Sequence, residues 1–297
     1  FEQNYENAVE YYKKSAEQGY MLSQRRLGHC YEYGKGVKQN YSVSREWYLK
    51  SAEQNDAESQ FILGNYYYEG KGVDEDKTTA VEWYAKAATL GHAISQNILG
   101  DSYSKGIGVN QVDNSKAVEW YRKSADQNYA PAQNNLADYY YEGNAVKQDY
   151  MKAVDLYRKS AEQGVAEAQF SLGNCYFEGK GVDQDYSYAM EWFFKADAQN
   201  NADAQNGLGL CYYNGYGVDQ DYVKAVEYFT KAAEQGHVMS QTYLGICYYN
   251  GYGVEQDYAK AAEWNAKAAE QGDSEALKEL GLSYYLGEGV EQSYDKA

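Results

Sequence analysis

Ser102-Tyr103-Ser104-Lys105 has the Ser-x-x-Lys spacing that sets a lysine amine beside a serine nucleophile. The companion segments of that chemistry, Ser-Asp-Asn and Lys-Thr-Gly, are missing from the chain. Asp183/Asp185 and Asp219/Asp221 show the alternate spacing of calcium ligands, but no glycine follows where a calcium loop would turn. Gly-x-Gly segments such as Gly34-Lys35-Gly36 could wrap a phosphate only with a strand before them and a Gly-Lys-Ser/Thr close by, and neither is present. The chain has four cysteines, Cys30, Cys175, Cys211 and Cys247, and no Cys-x-x-Cys pair to hold zinc. Its three histidines, His29, His92 and His237, lie too far apart in sequence for a metal triad. The expectation is a protein without catalytic centre, metal or cofactor.

Most of these residues belong to columns of an internal repeat, which must be recognised before any motif is trusted. The marker of a recurring Lys-Ala-Val-Glu-Trp-Tyr phrase falls at Ala8, Ser44, Ala80, Ala117, Ala153, Ala189, Ala225, Ala261 and Ala297, at intervals of 36 residues with one of 37. Four positions before it stand Asn4, Asn40, Asp76, Asp113, Asp149, Asp185, Asp221, Asp257 and Ser293, all residues whose side chains cap helix N-termini. Eleven positions after it, Gly19, Asn55, Gly91, Asn128, Gly164, Asn200, Gly236 and Gly272 tolerate the left-handed conformation that ends a helix. Between cap and stop, Ala225, Val226, Phe229, Ala232 and Ala233 keep helical spacing. The extra residue of the longer interval falls in the loop Val109-Asn110-Gln111-Val112.

A second helix carries Leu-Gly, as at Leu63-Gly64, Leu172-Gly173 and Leu208-Gly209, with Leu136-Ala137 the variant. Glycine inside a helix costs about 1 kcal/mol against alanine, so this column predicts close approach of a neighbouring helix. Gly-x-Gly-Val reverses the chain between the two helices, and Gly143-Asn144-Ala145-Val146 shows that its second glycine is preferred rather than required. Tyr31, Tyr67, Tyr103, Tyr140, Tyr176, Tyr212, Tyr248 and Tyr284, with Trp47, Trp83, Trp120, Trp192 and Trp264, are expected to pack. One helix pair cannot bury its own apolar face, so stacking of units supplies the core. The cysteines share one column, and equivalent atoms one unit apart stand about 10 Å from each other, beyond disulfide reach. They read as isolated core thiols, which favour a reducing compartment.

The chain has 297 residues, 36 of them tyrosine, one proline and a formal net charge of −17. Such a charge repels polyanions and anionic membrane surfaces, so no nucleic-acid partner is expected. No apolar run reaches the length of a membrane-spanning helix, so no membrane insertion is expected.

Residues 204–236 place Ala204, Leu208, Gly209, Tyr212, Gly215, Gly217, Val218, Asp221, Lys224, Ala225, Tyr228, Phe229, Lys231, Ala232, Ala233 and Gly236 in the order of the Sel1-like repeat phrase. The chain resembles that family, a relative of the tetratricopeptide repeats, over essentially its whole length. The resemblance implies an all-α, right-handed α-solenoid of about eight 36-residue antiparallel helix pairs. The Leu-Gly helix of each pair would line a concave groove. Residues 1–297 would form one solenoid, cut from a longer protein. The resemblance also implies export or an organelle lumen, against the thiol argument, so location stays open.

By analogy with the tetratricopeptide relatives, groove-facing side chains sit five and two residues before the leucine and two, five and six after it. Five after it stand Glu32, Tyr68, Ser104, Tyr141, Phe177, Tyr213, Tyr249 and Tyr285, an aromatic ladder that either faces the groove or packs against the next unit. Two after it stand His29, Asn65, Asp101, Asp138 and Asn174, then apolar Leu210, Ile246 and Leu282. Asn206, Glu142, Glu178, Asn214 and Asn250 complete the expected contact residues. Over all five columns ten acids face three bases, which suits a partner with basic or hydroxyl-rich surface. The expected function is a non-catalytic scaffold that holds a protein or peptide in a tyrosine-rich, acidic groove. A polysaccharide ligand is the alternative, and a β-lactamase-like hydrolase or a single-stranded RNA binder stands further off.

Overall fold

The computed structural model describes residues 4–293 and 295. Among the described residues there are sixteen α-helices and no strand. The ninth marker, Ala297, lies outside them. Contacts group the chain into two units, residues 1–148 and 149–297. The first holds α1 (Tyr5–Glu17), α2 (Met21–Tyr33), α3 (Tyr41–Ala52), α4 (Ala57–Glu69), α5 (Lys77–Thr89), α6 (Ala93–Lys105), α7 (Asn114–Ala125) and α8 (Ala130–Glu142). The second holds α9 (Tyr150–Glu162), α10 (Ala166–Glu178), α11 (Tyr186–Asp197), α12 (Ala202–Asn214), α13 (Tyr222–Glu234), α14 (Val238–Asn250), α15 (Tyr258–Glu270) and α16 (Ser274–Leu286). Even-numbered helices carry Leu-Gly and are called A; odd-numbered helices carry the marker and are called B. Within each unit a helix packs on the next in sequence, as an α-solenoid requires.

Capping punctuates the helices as the columns predict. Asn4, Asn40, Asp76, Asp113, Asp149, Asp185, Asp221 and Asp257 each accept a backbone N–H of their B helix through the side chain. Asn55, Asn128 and Asn200 take positive φ at the B-helix stops, where other repeats use glycine.

In five repeats the Leu-Gly glycine makes room for a ring on the following B helix, and at Gly245 for the Asn265 amide. A Cβ at Gly64 would sit within overlap distance of the Tyr84 ring, at Gly100 2.6 Å from Tyr121, at Gly173 2.7 Å from Phe193 and at Gly209 2.5 Å from Phe229. That ring column is sealed: Tyr48 and Phe229 are 0% exposed. The tryptophan one residue earlier stands at the edge of the core instead, with a lysine ammonium over it, 3.7 Å for Lys86 on Trp83 and 3.6 Å for Lys195 on Trp192. Trp192 is the buried member of that column. The core aromatic is therefore the position after the one the sequence draws attention to.

The second loop glycine has a different neighbour. Cβ atoms at Gly36, Gly181 and Gly253 would overlap the carbonyls of Tyr5, Tyr150 and Tyr222, the first residues of the preceding B helices. Ala145, at the equivalent position, also takes a positive φ, of 56°, with its methyl in place.

A glutamine column, unremarked in the sequence, ties successive repeats together. Gln24, Gln96, Gln169 and Gln241 each donate to a carbonyl eight residues earlier, as in Gln96 Nε2 to Ala88 O at 3.0 Å. Their own Oε1 atoms accept from Gln54, Gln127, Gln199 and Gln271, at 2.7, 2.7, 2.9 and 2.9 Å. At Gln60 the chain breaks, because the donor column holds Leu90, and the buried Gln60 Oε1 has no partner.

Candidate functional site

On the A-helix face of the first unit the polar columns are occupied by B-helix tyrosines before any ligand arrives. Tyr48 donates its hydroxyl to Glu32 Oε2 at 2.7 Å, Tyr84 to Asn65 Oδ1 at 2.8 Å and Tyr121 to Asp101 Oδ1 at 2.7 Å. Burial first, then the carboxylate it bonds, pushes the Tyr121 phenol well above its ordinary pKa, so it stays a donor at neutral pH. Asp101 Oδ2 also accepts from Asn97 at 3.3 Å, and Asn97 Oδ1 from Asn135 at 3.1 Å. The carboxylate of Asp101 is thus held from two sides.

Beside it lies a cleft of about 390 Å³ formed by α6, α7 and α8. Asp101, Asp138 and Glu142 line it, with Lys105 as the one cation among its lining residues and the amides of Asn114 and Asn135 between them. Tyr139 at its floor has its hydroxyl 2.9 Å from both Ser104 Oγ and Asn114 Oδ1. Of the expected contact residues, the structure brings Asp101, Asp138 and Glu142 together here. Tyr68 is exposed beside Lys77, whose ammonium lies 5.7 Å from the ring, and Tyr141 is half-buried. A larger cleft of about 590 Å³ opens at the lengthened loop between α6 and α7, where Asp113 is already engaged as the cap of α7.

In the second unit the ladder residues Phe177, Tyr213 and Tyr249 are half-buried rather than free-standing. Phe177 meets Tyr186 at 5.1 Å and Tyr216 at 5.6 Å, and Tyr213 meets Tyr222 at 5.2 Å and Tyr243 at 5.6 Å. Burial pushes the Tyr213 phenol up to about 12. Tyr249 donates to Glu288 at 2.9 Å, and Tyr285 is exposed. Asn206 is buried and accepts the Ser240 hydroxyl at 2.9 Å, which commits it to the contact between α12 and α14. Asn174 donates to Glu178 at 3.2 Å, while Asn214 and Asn250 are exposed. Tyr216 and Tyr252, in the variable loop position, were missed by sequence reasoning, and their aromatic letters were the available signal.

At Leu210 the polar-to-apolar change two residues after the leucine goes with the loss of a tyrosine hydroxyl on the B helix, while Asn174 stays polar in the repeat that carries Phe193. Opposite Tyr48, Tyr84 and Tyr121 the A helix offers an oxygen; where Phe229 replaces tyrosine, Leu210 packs against the cluster that contains it. A hydroxyl in the interior needs an acceptor and a phenyl ring does not.

The remaining reactive groups are closed off. Ser102 is buried and donates to Ile98 O at 2.8 Å. All four cysteines are buried and unpaired, and burial pushes the thiols of Cys175, Cys211 and Cys247 up to about 12. His92 and His237 serve as caps, accepting the N–H of Ser95 at 3.3 Å and of Ser240 at 3.2 Å through Nδ1. Among the described residues no cluster of three His, Cys, Asp or Glu side chains could hold a metal, and no helix is long and apolar enough to cross a membrane.

This geometry matches known repeats. The Sel1 repeat profile fits residues 2–20, 22–56, 57–92, 93–129, 130–165, 166–201, 202–237, 238–273 and 274–297. A protein of uropathogenic Escherichia coli, c5321, described as a protective antigen displaying an SLR fold, is 38% identical with a TM-score of 0.77, over 99% of this chain and 70% of that one. A Sel1 repeat protein from Oxalobacter formigenes is 30% identical with a TM-score of 0.72, over 100% of this chain and 88% of that one. A search of curated proteins gives no match. With the profile running from end to end and two solved relatives of the same build, the chain belongs to the Sel1 repeat family.

Proposed function

We propose that this chain is a non-catalytic scaffold whose A-helix face binds a basic segment of a protein or peptide partner. Sel1 repeat proteins are generally scaffolds for protein–protein contact and generally non-enzymatic. The observation that carries the finer reading is the cleft of α6, α7 and α8, where three carboxylates and one lysine are among the lining residues. Asp101 is oriented by Tyr121 and Asn97, so little of its freedom remains to be lost when a cation arrives. A lysine or arginine side chain entering there meets a surplus of negative charge within a chain of net charge −17. The same charge disfavours nucleic acid.

The test is a panel of synthetic peptides containing paired lysines, each with a twin in which norleucine replaces lysine, titrated against the whole chain at two ionic strengths. Lysine peptides should bind, more weakly as salt rises, and their neutral twins should lose about tenfold or more. Equal affinity of the twins, or no binding by any lysine peptide, would overturn the reading.

A further inference from the structure

In each repeat the last residue of the A helix lies two positions before the middle residue of the Gly-x-Gly loop. Two repeats use these positions as an internal ion pair, Glu69 with Lys71 at 2.5 Å and Glu178 with Lys180 at 2.6 Å. Two consecutive repeats of the second unit replace them with Asn214 and Tyr216, then Asn250 and Tyr252. Both charges vanish together, and an amide and a phenol take their places.

The two tyrosines are held alike. Tyr216 lies nearly parallel on Tyr186 at 4.8 Å and 15°, with Phe177 edge-on at 5.6 Å. Tyr252 lies on Tyr222 at 4.9 Å and 13°, with Tyr213 edge-on at 6.1 Å. Their backbone N–H groups donate to Cys211 O and Cys247 O, both at 2.9 Å, and positive-φ glycines flank each loop residue. Fixed in this way, each tyrosine residue is still 37% exposed. The neighbouring Asn214 and Asn250 are exposed too, and their amide nitrogens donate one turn back to Leu210 O at 3.0 Å and Ile246 O at 2.9 Å.

We propose that Tyr216 with Asn214, and Tyr252 with Asn250, form two successive subsites for a neutral polysaccharide, one sugar ring resting on each tyrosine face. A pyranose presents a flat C–H face and a rim of hydroxyls. The face suits an aromatic ring, and the rim suits an amide and a phenol that can both donate and accept. A basic partner would be better served by the glutamates kept at positions 69 and 178, and an acidic one by their lysines. The repeats in question keep neither. Rings already fixed by packing lose little freedom on binding. A ligand that repeats along its length also suits a site that recurs once per structural repeat. None of this involves the carboxylate cleft of the first unit, so the two readings stand or fall separately.

The experiment titrates the whole chain with hexasaccharides of glucose, of xylose and of N-acetylglucosamine by isothermal calorimetry. At least one should bind. Tyr216→Ala and Tyr252→Ala should each weaken it about tenfold and the double variant should abolish it, since truncating a central aromatic contact removes a dominant share of affinity. Tyr216→Phe and Tyr252→Phe should keep affinity within about threefold, because the stacking face survives. Circular dichroism and thermal midpoints establish that each variant is folded. No binding by any of the three sugars, or a folded double alanine variant with unchanged affinity, would overturn the proposal. So would a proline-rich or basic peptide that depends on these tyrosines while all the sugars fail.

Discussion

Tyr121 on α7 donates its hydroxyl to the carboxylate of Asp101 on α6, 2.7 Å away, one repeat after Tyr84 does the same to Asn65 at 2.8 Å. The pairing links a B-helix column to an A-helix column, and at Phe229 and Leu210 both have lost the polar group. Phe229→Tyr should therefore place a hydroxyl against Leu210 with no acceptor, lowering stability by about 1–3 kcal/mol. Adding Leu210→Asn should restore most of the loss. Urea midpoints of the two variants check this, and a double variant no better than the single one would contradict it.

Leu90→Gln should stabilise the first unit. The buried Oε1 of Gln60 lacks the donor that its equivalents receive, and Leu90 is 47% exposed, so little apolar burial is given up. Completing the pair should gain about 1 kcal/mol, read as a raised midpoint, whereas an unchanged or lowered midpoint would deny the glutamine column its role.

The cysteines should be silent in the folded chain. With the Cys175, Cys211 and Cys247 thiols pushed up to about 12, a reagent that needs thiolate finds almost none at pH 8. Ellman's reagent should label those three only after denaturant is added. Rapid labelling of the native chain would contradict the burial.

His92 supplies a pH dependence. Burial lowers its pKa from the ordinary 6.5, against the opposing pull of Glu58, whose Oε2 lies 3.5 Å from Nε2. A folded value below the unfolded one means that the stability contributed by neutral His92 is present above about pH 6.5 and is lost as pH falls through the folded value. Protonation also removes the Nδ1 acceptor from Ser95 N–H. His92→Asn keeps a capping oxygen without titrating, so between pH 7.5 and pH 5 its midpoint should fall less than that of the wild type. Parallel curves would contradict this.

Much of the fold was legible because caps, stops and Leu-Gly glycines are local requirements repeated at a fixed interval. Asn55 and Asp221 could be placed from their own chemistry. The face was harder to read, because its letters answer to residues on another helix. Asn65 and Asp101 look like ligand contacts in sequence, yet each already accepts a tyrosine hydroxyl, and Asn206 is held by Ser240. Asp138 and Glu142 come to line one cleft with Asp101 only through the packing of α6 against α8, which a list of columns does not contain. Tyr216 and Tyr252 occupy a loop letter that varies between repeats, so periodicity hid them.

The scaffold reading rests on the carboxylate cleft. The most direct measurement is the affinity of a bound lysine peptide for a chain carrying Asp101→Asn, Asp138→Asn and Glu142→Gln. The amide introduced by Asp101→Asn keeps an acceptor oxygen for the Tyr121 hydroxyl, so the helices should melt near the wild-type temperature. Affinity should drop about tenfold or more as the charges go, each exposed pair contributing roughly 0.2–1 kcal/mol. A folded triple variant that binds as tightly as the wild type would contradict the account.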